Sequence, residues 1–398
     1  MEVFSTMSVI IGGLLLVLAI VASVVNPFLR PLRFPNRGKG GETEAGEEAD
    51  DDEKQPVHGG RVPVTVLVTA HDSLHELERN LPALLSQKYE PGYQVVVVCQ
   101  STDGETIDWL KRMTAQYPHL YFTYIPEKSR YMSRKKLQIT LGVKAARHEW
   151  IVLTEPSCRP VDEGWLEAMT RQCQDANSLI LGYVALDGET KGVRRFENIR
   201  KAHYLLRRAQ RRCGYRTNMS CVAFRKSLFM QQQGFQGNLE LVRGEYDFLV
   251  NKYASYGNTA VELSRDAWLL QDEPTDKEWR NNRLYLHASR HLLEGASSMR
   301  TLMFIDHLLP HLSMVASIVA LACSVMGGNW VVAACAGVSL LLLFVLRLCI
   351  AWRAVRRFDD SISAFMLPFY EYGIIWRNLA DNWRYWRADK NDFTSHKL

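Results

Sequence analysis

The sequence has no Cys-x-x-Cys pair, no visible internal repeat and no strong excess of either charge. Its 8 cysteines are scattered, and Cys323, Cys335 and Cys349 lie inside apolar segments. That usage argues against a disulfide frame or a zinc site, and for free thiols in a reducing compartment. A formal net charge of +5, spread over many positions, leaves no electrostatic footprint for nucleic acid. A positive n-region is also missing before the first apolar run, which only Glu2 precedes. An uncleaved anchor therefore explains that run better than a secretory signal does.

What is present is apolar length and alternation. Met7 to Val25 is almost wholly apolar, close to the roughly 20 residues a bilayer core requires. Arg30, Arg33, Arg37 and Lys39 follow, which puts that side in the cytoplasm by the positive-inside rule. Gly40 to Lys54 is acidic and lacks apolar periodicity, the composition of a solvated linker. Two further apolar segments, Leu308 to Met326 and Val331 to Ile350, are joined by Gly327-Gly-Asn329 and read as a membrane hairpin. Arg290 and Arg300 before it, and Arg347, Arg353, Arg356 and Arg357 after it, again mark cytoplasmic flanks. The tail from Phe365 to Trp386 mixes aromatics with arginine, as segments at a lipid surface do. The expected organisation is an anchor (1–29), a basic then acidic linker (30–60), a cytoplasmic α/β domain (61–298), a hairpin (299–351) and an interfacial tail (352–398).

Between the apolar ends, strand and helix patterns alternate. Val62 to Thr69, Gln94 to Cys99, Leu120 to Ile125 and Trp150 to Thr154 read as strands, with helical stripes between them. Ser73-x-x-Glu76 and Thr102-x-x-Glu105 have capping-box spacing, and Pro82 should kink the first of these helices. Regular alternation predicts βαβ units, hence an α/β fold with a doubly wound, mostly parallel sheet. Further strands are expected at Ser178 to Leu186, Ser220 to Phe224 and Thr259 to Leu263. The helix from Val193 to Cys213 carries many arginines, read most simply as a solvated face.

The stretch Tyr131 to Pro160 concentrates the chemistry. Arg130, Arg134, Lys135 and Lys136 open a helix, a buried strand follows, and Glu155 stands just beyond its carboxyl end. Ligands of open α/β sheets bind in the crevice at that edge. Cations opening a helix sit unfavourably with its dipole, so phosphate contact is a reason for Lys135 and Lys136 to be there. Asp72 and Asp103 occupy strand-to-helix turns, where capping alone also selects aspartate.

The order of Val64 to Asp72, Leu81 to Tyr89, Val95 to Gly104, the Lys135-Lys136 stretch and Gly244 to Val250 resembles the family 2 glycosyltransferases over about Val62 to Ser289. The resemblance implies a nucleotide-sugar transferase fold, and donor contacts by His71, Asp72, Asp103, Lys135, Lys136 and Glu155. It implies a divalent metal, magnesium or manganese, on Glu155. Asp247, with Glu245 next, would be the general base, and Trp279 and Arg283 would hold the acceptor. The sequence departs from the family at five places: Glu155-Pro156-Ser157 replaces Asp-x-Asp, Val98-Cys99 lacks an acid, Cys221 replaces an asparagine, Tyr246 stands where an acid is more usual, and only Trp279 and Arg283 stand for Gln-x-x-Arg-Trp. The expected function is a plasma (inner) membrane enzyme that moves a sugar from a nucleotide-sugar to a lipid-linked or polysaccharide acceptor, inverting and non-processive. It would serve cell-envelope polysaccharide synthesis, with the lipid bilayer as a partner and no nucleic acid. The alternative is a relative that kept the fold but lost turnover, a binding or assembly partner in a glycan-making complex.

Overall fold

In a computed structural model the described residues are 6–34, 62–127, 132–211, 213–290 and 292–394. Most of the acidic linker lies outside them, together with Arg37, Lys39 and the expected phosphate cation Arg130. Helix α1 (Thr6–Val24) is followed by β1 (Val64–Thr69), α2 (Leu74–Leu85), β2 (Tyr93–Gln100), α3 (Gly104–Gln116) and β3 (Leu120–Ile125). Next come α4 (Arg134–Ala145), β4 (Trp150–Thr154), β5 (Cys158–Pro160), α5 (Trp165–Thr170), β6 (Leu179–Leu181) and β7 (Val184–Leu186). Helix α6 (Gly192–Arg211), β8 (Val222–Arg225), α7 (Lys226–Gln231), α8 (Glu245–Tyr253), β9 (Thr259–Val261) and β10 (Leu269–Gln271) continue the chain. Four helices close it: α9 (Asp276–Ser289), α10 (Ala296–Met326), α11 (Trp330–Val355) and α12 (Leu367–Arg387).

These elements form two compact units. One comprises Arg33–Asp187, Leu205–Glu273 and Asp389–Leu398. Its main sheet has seven strands in the order β3-β2-β1-β4-β8-β6-β9, and β5-β10-β7 form a second, small sheet. Pairing is parallel among β3, β2, β1 and β4, with Leu67 opposite Val96 on one side and Leu153 on the other. Strand β8 runs antiparallel to both of its neighbours. The mostly parallel α/β sheet is the architecture the alternation called for. Every residue of β1 and β4 is buried, which explains why these strands read as continuous apolar runs. Helix α4 packs so closely on β1 that a Cβ at Gly142 would lie 2.2 Å from Leu67 Cδ1.

Several local expectations change. Ser178 to Leu186 is two strands in two sheets, divided at Gly182, whose N–H bonds to the Cys221 carbonyl at the end of the β6–β8 ladder. Asp103, not Thr102, caps α3, accepting from Thr106 N at 3.2 Å. Ser73 Oγ accepts from His71 N at 3.1 Å, and so makes no cap bond to α2. A full capping box is present at Thr275 and Glu278, ahead of α9. Of the small sheet only β7 falls in an expected strand; β5 and β10 gave no signal, being three residues long.

The other unit comprises Met1–Leu32, Gly188–Tyr204 and Pro274–Ala388. Three of its helices are long and apolar enough to cross a membrane: Thr6–Val24, Arg300–Met326 and Trp330–Val355. Small polar side chains join them. Ser317 and Ser339 hydroxyls meet at 2.9 Å, and Ser339 Oγ donates to the Leu15 carbonyl at 3.0 Å.

The expected solvated arginine face of α6 is not solvated in this unit. Arg200 is buried and donates to Asp306 and, at 2.5 Å, to Glu371 Oε1. Arg347 donates to Glu371 Oε2 at 2.7 Å and to the Ala22 carbonyl at 2.8 Å, and lies 3.6 Å from Asp306. Arg194 is also buried, bonded to Asp276 and the Pro274 carbonyl. The α6 stripe misled because the acids that match these arginines lie more than 80 residues away in sequence. In α12 the face containing Leu367, Glu371, Ile374 and Asp381 is buried, while Phe369, Trp376, Trp383 and Trp386 are exposed.

Candidate active site

Parallel pairing puts the carboxyl ends of β1, β2 and β4 on one edge of the sheet, where His71, Asp72, Asp103 and Glu155 follow them. The α4 amino end, with Arg134, Lys135 and Lys136, reaches the same edge, because Lys135 forms an ion pair with Glu155. Lys135 Nζ also lies 5.0 Å from the centre of the Tyr246 ring. The start of α8 therefore joins the same cluster. Gly244, at φ +98°, allows that approach: the left-handed turn before α8 is one a side chain at this position would strain.

The electrostatics follow from the packing. Burial opposes the charge on Glu155, but Lys135, seconded by Arg243, outweighs it and holds the carboxyl below its usual range. Burial likewise works to lower Lys135, and the charges of Glu155 and Glu245 outweigh it, so the ammonium is held above its usual value. Burial, then the same two carboxylates, pushes the Tyr246 phenol well up. Burial and Glu155 push the Cys158 thiol to about 12, so it is no nucleophile.

The lysine beside it does something different. Lys136 is fully buried, and its ammonium donates to the Asn238 carbonyl, to Asn238 Oδ1 at 3.0 Å and to the Leu241 carbonyl at 2.5 Å. With three protons and three acceptors, it ties α4 to the loop leading into α8. Burial pushes its ammonium down to about 8, against the pull of Glu245.

Glu245 is 3 % exposed, and one oxygen accepts from Gly244 N at 3.1 Å. Its other oxygen, Oε1, is buried without a hydrogen-bond partner. Asp247 Oδ2 accepts from Arg216 Nε at 2.8 Å. Around β2, Gln100 bridges the expected donor contact His71 and the cation Arg134: its Nε2 meets His71 Nδ1, and its Oε1 accepts from Arg134 at 3.2 Å. Asp72 has φ +46°, a left-handed turn conformation that aspartate tolerates. Asp103 Oδ2 is buried with no hydrogen-bond partner.

His71, Asp72, Asp103, Lys135, Glu155 and Glu245 are thus brought to one rim, and Lys136 lies beneath it. Trp279 and Arg283 belong to the other unit. There Arg283 donates to Glu197 at 2.6 Å, to Asn378 at 2.9 Å and to Asp381, and Trp279 lies under Arg194. Sequence reasoning missed Gln100, Arg216 and Arg243. Arg243 was visible, two residues before Glu245. The Arg216–Asp247 pair spans 31 positions with no periodic pattern to announce it.

A family profile for glycosyl transferase family 21 matches residues 48–380. The chain belongs to glycosyl transferase family 21. This family 21 enzyme is a glycosyltransferase, as the motif order implied, and the matching family is 21 where family 2 was expected. It matches no curated protein. Among solved structures it is similar to the mannosyltransferase PcManGT from Pyrobaculum calidifontis, in complex with GDP-Man and Mn2+. Identity there is 17%, covering 87% of this chain and 99% of that one, with a TM-score of 0.49. S. aureus TarS in complex with UDP is similar at 10% identity, covering 61% and 69%, with a TM-score of 0.39.

Among the described residues of this family 21 enzyme, no three His, Cys, Asp or Glu side chains gather as a metal site. At the position where the resemblance implies a metal, the single carboxylate is paired with a lysine, and Pro156 and Ser157 follow it. This donor set does not fit magnesium or manganese, which take oxygen ligands and approach diphosphates through free carboxylates.

Proposed function

We propose that the enzyme transfers a sugar from a nucleoside diphosphate donor to a lipid-linked or polysaccharide acceptor, with inversion. The observation that carries this reading is the meeting of Lys135, Glu155, Glu245 and Tyr246 at the carboxyl edge of a parallel sheet. His71, Asp72 and Asp103 face the nucleoside. Asp247 is the general base. Arg216 fixes one of its oxygens and leaves the other for the acceptor. The acceptor oxygen bonds to the anomeric carbon, and the bond from that carbon to the diphosphate breaks. The electron pair leaves on the diphosphate, and the hydroxyl proton passes to Asp247. Electrostatic stabilisation of that leaving charge is the main demand on the site.

Thr6–Val24, Arg300–Met326 and Trp330–Val355 would cross the plasma membrane, with the α/β domain and carboxyl terminus in the cytoplasm. The test is transfer from a panel of radiolabelled UDP- and GDP-sugars by the full-length protein in nanodiscs supplied with extracted membrane lipids and glycans. Labelled product from one donor is expected, of opposite anomeric configuration. Product that retains the configuration would refute inversion, and no product from any donor would refute the reading as a whole. A reporter fused to the carboxyl terminus should behave as cytoplasmic.

A further inference from the structure

At the position where the family 2 resemblance implies a divalent cation, this chain places an ammonium. We propose that Lys135 does the work of that cation: the donor diphosphate binds and departs against its side chain, held in place by Glu155, with no bridging metal. This rests on the reading of the rim as a nucleotide-sugar site and adds the means of charge neutralisation.

Four observations carry it. The Lys135 ammonium is paired to Glu155, so the one carboxylate of the loop is occupied by a cation that belongs to the chain itself. The loop offers Pro156 and Ser157 where the resemblance has a second acid, and among the described residues no three His, Cys, Asp or Glu side chains gather as a metal site. The ammonium is positioned from two sides, by Glu155 and by the Tyr246 ring face 5.0 Å away, yet the Lys135 side chain is 33% exposed. An ammonium has three protons, so one on Glu155 leaves others for phosphate oxygens. Finally, the amino end of the 12-residue helix α4 directs its positive dipole to the same rim, and Arg134 and Arg243 add charge beside it.

The neighbouring lysine cannot share this task. Lys136 spends its protons on Asn238 and Leu241 and is fully buried. The two adjacent lysines therefore divide into a tether and a ligand group. Fixed cations at a departing diphosphate are an established alternative to a metal for stabilising its charge.

The test is equilibrium binding of UDP and of GDP to the full-length protein in nanodiscs, measured by calorimetry in EDTA and in manganese. For at least one nucleotide, Kd in EDTA should lie within about threefold of Kd in manganese, and Lys135→Met should weaken binding about tenfold or more while Lys135→Arg retains it. A wild-type Kd that weakens more than about tenfold when manganese is removed would overturn the proposal and leave the transferase reading standing. Unchanged affinity in a folded Lys135→Met protein would overturn it as well. If Lys135→Met does not fold, the wild-type comparison decides alone. Failure of both nucleotides to bind in either condition would bring down the transferase reading, and this proposal with it.

Discussion

Each unit contains a cluster of opposed charges, and the two are built to different ends. In the helical unit, Arg200, Arg347, Asp306 and Glu371 are exposed by 5, 2, 0 and 3 %, and two guanidiniums balance two carboxylates. Asn26 donates to Glu371 at 2.9 Å and Tyr204 to Asp306 at 3.2 Å. In the sheet unit, Lys135 and Glu155 are 33 and 24 % exposed, and Glu245 keeps a buried oxygen with no partner. Each cluster keeps buried atoms without a hydrogen-bond partner, Arg200 Nε and Asp306 Oδ1 in the first and Glu245 Oε1 in the second, so what separates them is exposure: the first is shut off from solvent and the second is open to it. A closed set of charges fixes helices against one another, and an open one can receive a charged ligand.

That contrast is sharpest if the two clusters respond to different measurements. The largest effect should come from Asp247→Asn, expected to slow transfer by about 10²- to 10⁴-fold while the unfolding midpoint stays within a few degrees. A variant that kept full activity would remove Asp247 as the base. Arg347→Met should do the reverse. It leaves buried carboxylates facing a single arginine, at a loss of about 3–5 kcal/mol in a denaturation series. A midpoint unchanged from wild type would show that the closed cluster is not a stabilising element. Lys136→Met should lose about 1–3 kcal/mol, because three acceptors are left unpaired, and should weaken nucleotide binding only through stability.

The smallest effects are in pH dependence, and they have the same sign in two separate ranges, stability rising with pH in each. Burial opposes the charge of Glu371, but Arg347 and Arg200 outweigh it and hold the carboxyl below its usual range. Its contribution is therefore present above the ordinary carboxylate pKa and is lost as pH falls through the lowered one. Glu371→Gln should flatten that acid limb. Burial lowers Lys136 to about 8, so from there up to the ordinary lysine value, about 10.4, the unfolded chain binds more protons and stability at this position rises with pH. Midpoints measured across both ranges for wild type, Glu371→Gln and Lys136→Met would check both slopes.

Local pattern carried most of the sheet. Leu120–Ile125 and Trp150–Thr154 have the ends that their apolar runs mark, and the rim residues after β1, β2 and β4 follow from parallel order alone. Pairings across long separations were not visible. Arg200 lies beside Ile199 in a stripe that says only which face is apolar, and its partners stand 106 and 171 residues further on. Lys135 and Lys136 look equivalent in sequence. A helical step of about 100° separates them, and that angle alone turns one to Glu155 and the other to Asn238.

The bare position at Gly142 has a reach beyond its own size. Because α4 rests directly on Leu67, the ammonium at the tip of that helix is referenced to β1, an interior strand of the sheet, through a contact with no room for a further carbon. A single methyl two turns downstream would lift the whole lever and carry the charge away from the leaving group. Sensitivity of the reaction to substitution should therefore extend to a residue that never meets a substrate.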